Sequence, residues 1–155
     1  MRQIQRMAYR VAGRLPSPLK RLIVRVHEAK FLVGVLGVVT DAEGRVLLFR
    51  HTYRPFAPWG LPSGLLKPNE SPGDAIVREV REETGLTVEF VDILDVRSAA
   101  RPRRLDVWLR CRALGGTVTP SPEVEDAAFF EFDSLPPLIV EQERFLRQHR
   151  SRLQS

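Results

Sequence analysis

Cysteine is almost missing from this chain. The one present, Cys111, cannot close an internal disulfide and is no CxxC-type zinc site, so a reducing, cytoplasmic setting is expected. It lies in the alternating run Leu105 to Leu114 and reads as a small core filler rather than a reactive thiol. Long apolar runs are missing too. The longest, Phe31 to Val39, has nine residues, against roughly 20 for a helix that spans a bilayer. The first residues lack the apolar stretch and small-residue cleavage site of a secretory signal. Acidic residues are scarce at one end only: residues 1–30 hold eight Lys/Arg against the single acid Glu28. That segment carries +7 and the remainder −2, so the overall positive charge belongs to an appendage and not to the main domain.

The 155 residues are 43% hydrophobic and 28% charged, which suits one globular domain with a real core. Residues 1–29 read as a basic helical extension. Ile4, Met7, Ala8 and Val11 recur at helical spacing, while Arg2, Arg6, Arg10 and Arg14 come every fourth residue. Such a helix could lie on a membrane surface, touch nucleic acid, join two copies as a homodimer, or pack on its own domain with its arginines in solvent. A second short amphipathic piece, Leu19 to Val26, leads into the domain proper, residues 30–155.

In that domain Phe31 to Thr40 and Arg45 to Thr52 are β-rich runs around the turn Asp41-Ala42-Glu43-Gly44, predicting a hairpin or a tightly connected pair. Tyr53 to Pro62, rich in Pro, Gly and aromatics, reads as a loop. Leu86 to Val96 and Leu105 to Leu114 read as strands joined by the arginine-rich segment 97–104, with a turn at Gly115-Gly116. An acidic loop, Thr117 to Asp126, precedes a short strand, Ala127 to Phe132. The last helix is expected over Ile139 to Leu153.

The stretch Gly64 to Leu86, GLLKPNESPGDAIVREVREETGL, organises the rest. Ser71, Pro72 and Asp74 carry the signature of a helix start, and Gly85 that of a stop. Within that helix Glu79, Glu82 and Glu83 sit at i, i+3 and i+4 and share a face. Like charges so placed cost about 0.2–0.5 kcal/mol per pair. A divalent cation would neutralise them, and hard oxygen ligands suit Mg²⁺, Mn²⁺ or Ca²⁺. The plainer alternative is a solvated helix laced by Asp74–Arg78 and Arg78–Glu82 pairs.

This stretch resembles the Nudix box. Gly64, Glu70, Arg78, Glu79, Val80, Glu82, Glu83, Gly85 and Leu86 fill each of its nine specified positions over 23 residues. The resemblance implies the Nudix-type α/β/α sandwich with a mixed β-sheet, here preceded by the amphipathic basic helix. It implies Glu79, Glu82 and Glu83 as metal ligands and catalytic acids for Mg²⁺ or Mn²⁺, joined by the Gly64 carbonyl. It also implies a structural Arg78–Glu70 pair that pins loop to helix. Ser121-Pro122-Glu123-Val124-Glu125-Asp126 resembles the late acidic loop of the family, which makes Glu123 the expected further ligand or base and Glu125 the second choice. Glu79 and the late acid both stand as general base. One departure is Ser63, where many members carry a first glycine.

The implied activity is metal-dependent hydrolysis of a diphosphate bond in a nucleoside diphosphate linked to another moiety, or in a nucleoside triphosphate. Such chemistry needs phosphate charge neutralised and a water positioned and deprotonated. Arg50, Arg54 and the 97–104 arginines could meet phosphates bidentately. Trp59, Tyr53 or Phe56 could stack on a base. Each of these also reads as a surface ion pair or a core aromatic. Two other functions compete: removal of pyrophosphate from RNA 5′-triphosphate ends, favoured weakly by the basic appendage, and a non-catalytic nucleotide-binding module, whose usual mark is a broken box.

Overall fold

Side-chain alternation along three strands sorts the core into two faces. In the computed structural model, which describes residues 16–19, 30–99 and 103–153, the chain divides into a unit Met1–Phe31 and a unit Leu32–Ser155. The expected basic helix over residues 1–15 lies outside the described residues, as does nearly all of the piece from Leu19 to Val26.

In the second unit, β1 (Leu32–Thr40), β2 (Val46–His51) and β6 (Arg104–Gly115) form the sheet centre. Val35, Val39, Leu47, Phe49, Val107, Leu109 and Cys111 point to one side, against Ala75, Ile76 and Val80 of helix α1 (Pro72–Thr84). Their neighbours Leu36, Val38, Val46, Leu48 and Trp108 point to the other, against Phe145, Leu146 and Leu153 of helix α2 (Val140–Leu153). Period-two alternation buried on both faces is what a sheet covered by helices requires. Cys111 is fully buried, and burial pushes its thiol up to about 12, in keeping with a core filler. Among the described residues no helix is long and apolar enough to cross a membrane.

With β3 (Trp59–Gly60) and β5 (Thr87–Ala99) added to these, the sheet runs β3-β2-β1-β6-β5, with β4 (Ser63–Leu65) on β1 and β7 (Val124–Phe130) on β2. Among the described residues only β1 and β6 pair in parallel; the other pairs are antiparallel, so the sheet is mixed. The expected β1–β2 hairpin is present at its turn, where Asp41 N–H donates to Arg45 O at 3.1 Å, but its pairing is short. The two strands meet at Thr40↔Val46 and then part: beyond that point β2 pairs with β3 and β1 with β4, while β7 lies along the opposite edge of β2. The wedge between them is filled by β3 (Trp59–Gly60) on β2 and by β4 on β1. Backbone groups in the wedge find partners: Gly37 N–H donates to Pro62 O at 2.9 Å and His51 N–H to Pro58 O at 2.8 Å. Leu61 N–H donates to Oε1 of the buried Gln142 on α2 at 3.0 Å. A buried backbone donor would otherwise be costly.

Two boundaries also shift. Strand β5 (Thr87–Ala99) runs past Val96, so part of the arginine-rich segment is strand: Arg97 faces Asp106 and Ala99 faces Arg104. Strand β7 starts at Val124, which places Glu125 and Asp126 in the sheet, Asp126 opposite Arg50. Both are edge strands, where charged side chains reach water without leaving the ladder.

Candidate active site

Helix α1 begins and ends as its residues dictate. Ser71 Oγ accepts from Asp74 N–H at 3.1 Å, Pro72 occupies the first turn, and Gly85 takes the left-handed conformation (φ 74°) with its N–H on Arg81 O. These caps fix the rotation of the helix, and with it the direction of its carboxylates.

Arg78 is the hub. It grips Glu70 at two points, Nε to Oε1 at 2.7 Å and Nη2 to Oε2 at 3.1 Å. Its Nη1 donates to Glu79 Oε1 at 2.8 Å and to Glu82 Oε2 at 3.2 Å, and Nη2 reaches the Leu65 carbonyl at 3.3 Å. Glu70 is turned back onto Arg78 by the preceding bend, in which Asn69 adopts a positive φ of 63° and Lys67 N–H donates to Glu70 Oε2. The Arg78 guanidinium holds the Glu70 carboxyl down at about 2. One side chain therefore ties loop, strand β4 and helix together.

Gly64 lies in β4 opposite Val35, and its Cα is covered by the carboxylate of Glu79. A methyl group there would overlap that carboxylate, so glycine is needed for close approach. Ser63 is accommodated: it sits in the same short strand opposite Leu36, in backbone that any residue adopts.

Glu83 lies deeper. Burial, then the charges of Glu79, Glu123 and Glu82, push its carboxyl up to about 7. Its Oε2 is buried and makes no hydrogen bond. Glu123 is exposed at the start of β7, close enough for its charge to be felt at Glu83. Its carbonyl accepts from Thr52 N–H at 3.1 Å, which ties the late acidic loop to the segment after β2.

Arg54 approaches the same place from that segment. Its charge opposes the rise at Glu83, and its Nη1 is buried without a hydrogen-bond partner. The guanidinium passes over Gly60 beside His51 Nε2 and Gln142 Oε1. His51 is 4% exposed, and burial with the nearby Arg54 charge pushes it down to about 4, so it is neutral at pH 7. Arg50 instead points outward and pairs with Glu125 at 3.2 Å. Trp59 meets Phe130 edge-on at 4.9 Å and joins the α2-side core. Of the 97–104 arginines, Arg97 bonds Asp95 and Arg104 bonds Asp106.

His51 and Gln142 were not singled out by sequence. The parity of β2 offers a signal for His51, which shares the inward side of Leu47 and Phe49. Nothing local marks Gln142.

The donor set suits a hard divalent cation. It is all oxygen, several carboxylates repel one another within it, and one buried oxygen of Glu83 is unpartnered. Glu79 and Glu82 turn to Arg78, and Glu82 lies 3.8 Å from Lys67. Consequently, among the described residues no three acidic, His or Cys groups already form a closed cage.

The family profile for the NUDIX domain matches residues 30–149. The chain belongs to the Nudix family. As a Nudix protein it is a hydrolase of acid anhydrides. It is 27% identical over 136 residues to the ADP-ribose pyrophosphatase of Methanocaldococcus jannaschii, covering 84% of this chain and 78% of that one. It is 31% identical over 109 residues to a MutT-like protein of Streptomyces ambofaciens, covering 70% of each. The crystal structure of an ADP-ribose pyrophosphatase from Streptococcus suis superposes with a TM-score of 0.66 at 29% identity, over 78% of this chain and 92% of that one.

Proposed function

We propose that this Nudix hydrolase cleaves the diphosphate bond of a nucleoside diphosphate linked to another moiety, in a reaction that depends on Mg²⁺ or Mn²⁺. One observation carries the reading. Two buried atoms of opposite character lack partners: Glu83 Oε2, an acceptor within the carboxylate cluster, and Arg54 Nη1, a donor over Gly60 on a side chain whose charge is felt at Glu83. Orphaned buried polar atoms are costly. A cation answers the first and a phosphate oxygen the second, so a metal-bound diphosphate answers both. The names of the ADP-ribose pyrophosphatase relatives support a nucleotide of that type.

Glu79, Glu82, Glu83 and the Gly64 carbonyl would hold the ion, with Glu123 as a further ligand. Bound there, it neutralises phosphate oxygens and acidifies a water. The chain's own groups do the remainder. Arg54 binds and orients a phosphate. Arg78 keeps Glu79 and Glu82 aligned while Glu70 keeps Arg78 in place. Glu123 or Glu79 accepts the proton of the attacking water.

The test is release of a nucleoside monophosphate from ADP-ribose, sugar nucleotides, CDP-alcohols and nucleoside triphosphates, each with Mg²⁺, Mn²⁺ or EDTA. Metal-dependent release from the first three is expected. No release from any of them by folded protein that still binds Mn²⁺ would count against the reading.

A further inference from the structure

The segment between β2 and β3 has a feature that phosphate binding leaves unexplained. Its base is closed: Arg50 pairs with Trp59, and His51 N–H donates to Pro58 O at 2.8 Å. It is tied sideways to the Glu123 loop through Thr52, whose N–H bonds the Glu123 carbonyl and whose hydroxyl bonds the Pro122 carbonyl at 3.1 Å. Pro55 and Pro58 restrict the backbone further. Yet this tethered segment holds its aromatic rings out to solvent. Phe56 is 97% exposed and Tyr53 is 57% exposed.

Tyr53 is not simply a loose surface ring. It is backed by His51, centroids 5.2 Å apart, and by the Arg54 guanidinium 5.5 Å from its centroid. The ring is held by these two neighbours while more than half of the residue stays exposed, which suits a stacking platform. It also stands next in sequence to Arg54, whose buried Nη1 lacks a hydrogen-bond partner and whose charge is felt at Glu83.

We propose that the 52–58 segment is the nucleobase-recognition element of this enzyme, with Tyr53 as the supported platform and Phe56 as the second ring. A phosphate held by Arg54 leaves its nucleoside beside Tyr53, and an aromatic face accepts any base through stacking. The inference rests on the phosphate reading for that geometry. It assigns affinity for the base to two exposed rings and leaves Trp59, which packs on Phe130, to the core.

The test compares AMP with ribose 5-phosphate, which has the phosphate and sugar but no base. Binding of each is measured by titration calorimetry to the full chain, to Tyr53→Ala and to Phe56→Ala, with melting curves to check folding. The full chain is expected to prefer AMP, and both substitutions to weaken AMP about tenfold while ribose 5-phosphate binding stays within experimental error. Unchanged AMP affinity in both variants would overturn the assignment, as would equal affinity of the unsubstituted chain for the two probes. If no anhydride is hydrolysed but the AMP preference and its loss are seen, the hydrolytic reading fails and the base-recognition element stands.

Discussion

Arg78 and Glu70 meet at two points, Nε–Oε1 at 2.7 Å and Nη2–Oε2 at 3.1 Å, although one lies on α1 and the other in the loop before it. Replacement of Arg78 by Lys keeps the charge and loses the fork that reaches Glu70, Glu79 and Glu82 together. Since small displacements of positioned groups cost up to about 100-fold in rate, Arg78→Lys should lower kcat markedly. Steady-state kinetics at saturating metal would check this; an unchanged kcat would refute the positioning role.

Gly64→Ala tests close approach. The added methyl group overlaps the Glu79 carboxylate and must push it away. We expect kcat to fall about 100-fold or less, with little change in far-UV circular dichroism because the caps of α1 are untouched. Wild-type activity in this variant would mean that Glu79 works from another position.

Glu83 gives a pH dependence whose direction is fixed. Its carboxyl titrates near 7 in the folded chain, against 4.5 as the ordinary value. The folded state therefore binds the proton more tightly, and the corresponding stability, complete below about pH 4.5, is lost as the pH rises through 7. In EDTA, Glu83→Gln should melt higher than the unsubstituted chain at pH 8 and about equally at pH 4.5. Mn²⁺ should raise the Tm of the unsubstituted chain more than that of the variant. A lower Tm for the variant at pH 8 would contradict the burial argument.

His51 and Glu70 act in the opposite sense. His51 is held near 4 by burial and by Arg54, and Glu70 near 2 by Arg78. Both bind fewer protons when folded, so stability falls as the pH drops, first between about 6.5 and 4 and then between 4.5 and 2. His51→Gln should flatten the first part of an acid-unfolding profile. An identical profile would show that His51 is not held neutral.

The general base separates two residues. Glu123→Gln and Glu79→Gln leave shape nearly unchanged and remove the proton acceptor. The variant that loses the base should lose about 100- to 10,000-fold in kcat. Full kcat in Glu123→Gln would leave Glu79 as the base.

Much of this arrangement was legible in the sequence. Ser71, Pro72, Asp74 and Gly85 announced the helix and its caps, and the spacing of Glu79, Glu82 and Glu83 its acidic face, because those constraints are local. Strand positions followed from the β-rich runs of β1 and β2 and from alternation in β6. The wedge between β1 and β2 was not legible, since it depends on the short strands β3 and β4, cut from a Pro- and Gly-rich segment, pairing with β2 and β1. Edge strands were cut short for a related reason: Arg97, Glu125 and Asp126 look like loop residues until the sheet edge gives them water. Arg54 and Arg50 looked alike in sequence; only the fold lays Arg54 over Gly60, with its charge felt at Glu83, and turns Arg50 to Glu125.

Gln142 belongs to the helix on the far side of the sheet, yet its side chain holds Leu61 N–H just ahead of β4. The floor on which Gly64 and Glu79 meet is thus anchored from behind. Damage to α2 would disable a chain whose Nudix box is intact, and would do so by loosening the wedge and not by touching a carboxylate.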